Sequence, residues 1–301
     1  MRKILITILL FTIASTAFSQ QKSVLSQYRF NQLVINPAYA GHKNDLTVNL
    51  LHRNQWVNLE GAPVSNIASV HTGIKDKHSG FGLTFVDESI GVHKSMALFG
   101  VYSFSIEFQT GTLAAGIQGG FNQLNSNFQE LNLQSQNDVV FSTFQNSFNP
   151  NFGVGLFYSN RNGFIGLSSP YIVENRVLRT GSGLTNAQEA RYYFLTGGYL
   201  FPINKDVIFY PSAMVRVQEN APIGFDINAN AILQDILNVG ISYRSGDAIS
   251  MMCSITVNEN FTFGYAYDNT LSNIRNYTND THELMLIYRI NLYKEKCFTY
   301  F

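Results

Sequence analysis

The sequence predicts an all-β chain folded as a transmembrane up-and-down antiparallel β-barrel of about 14 strands. Three observations carry that reading. The 301 residues hold 13% charged and 14% aromatic side chains at a mean hydropathy of −0.02, with 24 Phe, 16 Tyr and one Trp. Disordered chains are charged and poor in aromatics, so that class is excluded. Beyond the first 20 residues no apolar run reaches the roughly 18 residues a spanning helix needs, which excludes a helical membrane protein. From Asp45 onward, apolar residues alternate with small or polar ones at period two, the mark of strands with two different faces.

Taken in order, residues 1–19 read as a secretory signal peptide. Arg2 and Lys3 form a basic start, Ile4 to Ala14 an apolar stretch too short to span, and Ala17-Phe18-Ser19 a small-residue cleavage site before Gln20. Its removal takes two basic residues and leaves a formal charge of −2. No surplus of Lys and Arg remains, so no nucleic-acid partner is expected. Residues 20–44 form an N-terminal periplasmic or plug segment, 45–292 the barrel, and 293–301 a C-terminal tail.

Within 45–292 the alternation gives segments at about 45–57, 64–74, 79–86, 96–108, 111–124, 151–159, 163–169, 191–201, 207–218, 223–233, 237–245, 248–257, 261–268 and 281–292. In Thr112 to Asn122, Leu113, Ala115, Ile117, Gly119 and Phe121 share the face expected to meet lipid, and Gln118 and Asn122 the other. Ile227 opposes Asp226 and Asn228 in the same way. Tyr102, Tyr158, Tyr199, Tyr210, Tyr243, Tyr267 and Tyr288 are candidates for interfacial aromatic girdles. Inward glycines suggest a crowded or narrow lumen. Pro211 cannot donate to a ladder and is read as marking a bulge.

The connections sort by length. Lys75 to His78, Gln109-Thr110, Asn160 to Asn162, Pro202 to Asp206, Gln234 to Ile236 and Asn258 to Asn260 are short and share one end. The long ones, Asp87 to Ser95, Asn125 to Pro150, Pro170 to Ala190 and Asn269 to Asp280, share the other. Outer-membrane barrels show this asymmetry, with long loops outside and tight turns in the periplasm. An even strand count places both chain ends on the periplasmic side.

No catalytic, metal or cofactor motif emerges. The six histidines, at 42, 52, 71, 78, 93 and 282, lack zincin spacing, and no G-x-S-x-G elbow or phosphate loop is present. Asp87, Glu88 and His93 are the best place for rim chemistry and read as a solvated loop. Cys253 reads as a small apolar strand residue. The expectation is a non-enzymatic protein that needs no cofactor.

The stretch Gln27-Tyr28-Arg29-Phe30-Asn31 through Asn36-Pro37-Ala38-Tyr39-Ala40-Gly41, followed by Arg53-Asn54-Gln55-Trp56 and Gly61-Ala62-Pro63, resembles the PorP/SprF family of type IX secretion membrane proteins. Gly80-Phe81-Gly82-Leu83 and Gly166-Leu167-Ser168-Ser169-Pro170 echo it further on. The tail departs: the family often ends near C-P-x-F, whereas Cys297 here precedes Phe298-Thr299-Tyr300-Phe301. The resemblance implies an outer-membrane barrel that supports export or surface anchoring of a large surface adhesin, set among outer-membrane lipid and periplasmic type IX components. The other function open to such a barrel is a diffusion channel for small solutes.

The motif residues Tyr28, Phe30, Asn31, Asn36, Pro37, Tyr39, Gly41, Arg53, Trp56, Gly61 and Pro63 are the candidate plug or partner contacts. Phe30, Leu33, Ile35 and Tyr39 are too apolar for a free tail and must pack on the lumen, the barrel rim or a partner. Trp56 beside Arg53 is either a cation–π partner or an interfacial aromatic.

Overall fold

The alternation is realised as one ring of strands. The structure, a computed structural model, describes residues 24–42, 45–74, 78–127, 145–174, 191–219 and 221–292. The signal-peptide and tail segments lie outside them. The strands are β1 (Asp45–Asn54), β2 (Val64–Ile74), β3 (Ser79–Ile90), β4 (His93–Phe108), β5 (Gly111–Ser126), β6 (Gln145–Ser159) and β7 (Gly163–Ser169). Next come β8 (Tyr192–Tyr199, resumed at Phe201–Pro202), β9 (Val207–Gln218), β10 (Gly224–Leu233), β11 (Leu237–Arg244), β12 (Ala248–Thr256), β13 (Phe261–Thr270) and β14 (Thr281–Asn291). Each pairs antiparallel with its sequence neighbours. β14 closes on β1 from Asp45↔Asn291 to Asn54↔His282. Closure pairs the strand edges, which lipid could not satisfy.

The two faces fall as the period requires. Ile117 and Ile227 are more than half exposed on the outer wall, while Gln118, Asn122, Asp226 and Asn228 are buried inside. Of the seven tyrosines, six face outward at two levels. Tyr102, Tyr158, Tyr199 and Tyr288 lie toward the short turns, and Tyr243 and Tyr267 toward the long loops. Tyr210 is the correction: it is buried in the lumen with its ring under the Arg29 guanidinium, 4.2 Å from centre to carbon.

Pro211 marks no bulge. β9 pairs with β10 without a skipped residue, and its two stretches of pairing with β8 keep one register. The missing N–H coincides instead with the break in β8, opposite Tyr210 and Pro211, where Leu200 donates to the carbonyl of Asn162 (2.6 Å).

The expected long loop Asp87 to Ser95 is also absent. β3 and β4 run on to Ile90↔His93 and leave only Gly91-Val92, with Gly91 at φ +53°. Apolar alternation reports the lipid band, and these strands continue above it, where both faces are polar. Asp87 accepts from Asn66 (3.2 Å), Glu88 from Ser65 (3.3 Å), and His93 pairs with Ser126 (2.7 Å). The loop Pro170 to Ala190 begins by turning inward: the Gln118 amide donates to the Pro170 carbonyl (2.8 Å) and Tyr171 meets Phe99 edge to face.

Candidate functional site

The site is the lumen, and the chain itself occupies it. Val24 to His42 passes through the barrel as a 3₁₀ turn (Tyr28–Asn31), a single α turn (Gln32–Ile35) and a second 3₁₀ turn (Pro37–Tyr39). Its local geometry follows from Asn36-Pro37. Proline holds Asn36 extended (φ −135°, ψ 111°), and the Asn36 side chain caps the following turn by accepting the Ala38 N–H (2.9 Å). Gly41 ends the segment at φ +69°, where any Cβ would be strained.

The wall is cut to this backbone. A Cβ on Gly155 would stand 2.0 Å from Asn36 Oδ1, one on Gly116 2.2 Å from the Ala38 nitrogen, and one on Gly80 2.1 Å from the Ala40 carbonyl oxygen. No side chain fits at those three points while the segment is in place. Leu33, Ala38, Tyr39 and Ala40 complete an apolar core with Val101, Phe157, Phe164 and Tyr210 from the wall.

Wall side chains also hold the segment's main chain. Asn49 donates to the Phe30 carbonyl (2.6 Å), Ser168 to that of Ile35 (2.8 Å), and Ser103 to that of Ala40. Asn36 in turn donates to the Leu156 carbonyl (2.9 Å). Asn228 donates to the Tyr28 hydroxyl (2.6 Å) and Ser69 to Asn31 Oδ1 (2.8 Å).

At the long-loop end the segment enters a buried charge cluster. Arg53 on β1 pairs with Asp268 on β13 (2.7 Å) and Glu283 on β14 (3.0 Å). Arg244 on β11 reaches Asp226 on β10 (3.1 Å) and Asp268 (3.7 Å), and Arg216 on β9 lies 3.9 Å from Asp226. Three buried guanidiniums thus face three buried carboxylates, and Arg244 also reaches the half-buried Asp247 at the edge of the cluster (3.3 Å). The segment plugs into it: Glu283 accepts the Ser26 and Gln27 N–H groups (2.9 and 2.8 Å), and the Ser26 hydroxyl lies 2.7 Å from both Asp268 oxygens. Desolvated charges need opposite partners, and each of the six buried groups has one, although Arg53 Nε, Arg216 Nε and Asp226 Oδ2 make no hydrogen bond.

The structure therefore divides the motif residues in two. Tyr28, Phe30, Asn31, Asn36, Pro37, Tyr39 and Gly41 lie on the lumen segment and Arg53 on the wall that grips it. Trp56, Gly61 and Pro63 lie in the β1–β2 connection at the long-loop end, with the Trp56 N–H on the Thr281 hydroxyl (3.1 Å) and the Gly61 carbonyl accepting from Gly91 (2.8 Å). Among the described residues the cation–π contacts belong to Arg29, over Phe30 and Tyr210, and Arg53 serves the ion cluster. Sequence reasoning missed Asp226, Arg244, Asp268 and Glu283. Their one signal is a charge on the inward face near the long-loop end of a strand, in a chain with few charges.

Solved outer-membrane proteins align with this chain at low identity. The Acinetobacter baumannii outer membrane protein Omp33 aligns at a TM-score of 0.48 and 9% identity, over 82% of this chain and 99% of that one. The Pseudomonas putida toluene transporter TodX aligns at 0.49 and 11%, over 87% and 93%. A mutant of Rh. blastica porin aligns at 0.35 and 9%, over 82% and 99%. No curated protein matches the sequence. The sequence model of the type IX secretion system membrane protein PorP/SprF matches residues 17–288, and so takes in the lumen segment and nearly the whole barrel. A closed fourteen-stranded barrel with that segment running down its lumen is the form the family takes here: the chain belongs to the PorP/SprF family of type IX secretion system membrane proteins and is a protein of the outer membrane.

Proposed function

We propose that this barrel is a non-enzymatic accessory of type IX secretion or gliding, supporting export or surface anchoring of a large adhesin-like partner rather than conducting solutes. The observation that supports this reading is the filled lumen. The block that carries the family resemblance, Gln27 to Gly41, stands where a channel would need open water. It is fixed there by the Glu283 and Asp268 carboxylates and by glycines with no room to spare. The outer face takes lipid, and the short turns and loops are the surfaces left for periplasmic type IX components and for the exported partner.

The test is removal of the protein from its own cells, scored by surface labelling of large exported proteins, with conductance of the purified barrel in planar bilayers alongside. Loss of surface display of one such protein, with no stable ion-permeable openings from the intact barrel, is the expected result. Normal display together with large, stable conductance would replace this reading with a solute channel.

A further inference from the structure

The lumen segment has a direction. Ser26 and Gln27 meet Arg53, Arg244, Asp268 and Glu283, which lie near the long-loop ends of β1, β11, β13 and β14. Tyr28 lies against Asn228 midway along β10, and Asn31 against Ser69 midway along β2. Ala40 and Gly41 meet Gly80 at the start of β3 and Gly73 near the end of β2, beside the short turns. The chain thus descends the whole lumen, from long loops to short turns, before β1 begins at Asp45. The first strand begins and the last ends at the short-turn end, whereas Val24 lies at the long-loop end; the chain's two ends, expected on the periplasmic side, lie outside the described residues.

We infer that the lumen segment is threaded outward through the barrel, so that its Val24 end is presented at the cell surface. Three features fix the polarity. The covalent link to β1 holds Gly41 at the periplasmic end. The glycine contacts at positions 80, 116 and 155 admit one backbone path past Asn36 to Ala40. The charge cluster at the outer mouth accepts two successive N–H groups and a hydroxyl from Ser26 and Gln27, groups that no residue lower in the segment supplies in that order. Reversing the segment would strand Glu283 and Asp268 as buried carboxylates without those donors. The Val24 end of the segment is therefore a surface element, placed among the long loops. This inference concerns topology and stands apart from the role in secretion.

Single-cysteine variants of the full-length protein in its own outer membrane test it. In a Cys253→Ser, Cys297→Ser background, Lys22→Cys is compared with Tyr277→Cys in the β13–β14 loop and Lys205→Cys in the β8–β9 turn. The probe is a membrane-impermeant maleimide, and heat-modifiable gel migration selects folded barrels. Lys22→Cys is expected to label on intact cells to the same extent as Tyr277→Cys, while Lys205→Cys labels only after permeabilisation. Labelling of Lys22→Cys only after permeabilisation, or only after unfolding, would overturn the inference.

Discussion

Glu283→Gln is the most telling single substitution. The side chain keeps its shape and loses its charge at a site with no exposure, where Glu283 accepts from the Arg53 guanidinium, the Ser26 N–H and the Gln27 N–H. An amide retains one oxygen for these three donors and turns an N–H₂ group toward the rest, so donor meets donor. Leaving a buried donor unmet costs about 1–3 kcal/mol. Breaking a buried ion pair by removing one partner costs about 3–5 kcal/mol, because the surviving charge stays desolvated. Arg53 keeps Asp268 at 2.7 Å, which limits the loss. The expected cost is therefore about 3–5 kcal/mol, and it falls on the barrel's closing seam as well as on the segment, since Arg53 and Glu283 stand directly opposite on β1 and β14. Urea titration of vesicle-inserted protein, followed by heat-modifiable migration, reads the value. Arg53→Met and the double variant complete the cycle, with a coupling of about 0.5–3 kcal/mol expected for groups in contact. A cost below about 1 kcal/mol with no coupling would mean that the cluster is hydrated and does not hold the segment.

Other outcomes follow from the same geometry. Gly155→Ala and Gly116→Ala are expected to expel or distort the segment and shift heat-modifiable migration, whereas Gly100→Ala, whose Cβ would meet nothing nearer than 3.9 Å, leaves it unchanged. Ile117→Arg, on the 58%-exposed lipid face, is expected to cost about 2–4 kcal/mol of insertion stability and Ile117→Leu almost none, read by urea titration. Asp280, in the loop after β13, has its carboxyl held below its ordinary value. Burial raises it, but hydrogen bonds from the Tyr267 hydroxyl (2.5 Å), the Thr270 N–H (2.9 Å) and the Asn269 amide outweigh that. A depressed carboxyl stabilises the fold above its unfolded value and loses that contribution as pH falls through its folded one. The protection of the Thr270 amide, measured against its intrinsic exchange rate at each pH, is accordingly expected to fall only below about pH 4, and protection constant in that range would remove the tie.

Much of the barrel was legible in the chain because its physics is periodic. Leu113 to Phe121 and Phe225 to Ala231 alternate because one face meets lipid and the other the lumen, and the structure keeps those faces. Legibility ends where the lipid band ends. Asp87 to Ile90 and His93 to Ser95 are strand, but with water outside and polar groups inside nothing alternates, so they resembled a loop. Tyr210 and Pro211 failed for a local reason: a β-favouring tyrosine carries no mark of which face it takes, and Pro211 weakened one ladder without shifting register. The lumen segment announced itself through Phe30, Leu33, Ile35 and Tyr39, which had to pack on something. What it packed on was hidden, because Arg53, Asp226, Arg244, Asp268 and Glu283 are scattered singly along the chain. Only the closed ring, with β14 beside β1, gathers them at one mouth.

Conductance decides whether the barrel's own amino-terminal segment closes the lumen. Intact protein and a variant lacking Gln27 to Gly41, both shown to be folded by heat-modifiable migration, would be compared in planar bilayers. The intact barrel is expected to be silent and the variant to show stable openings. An intact barrel that conducts as well as the deletion would contradict that closure.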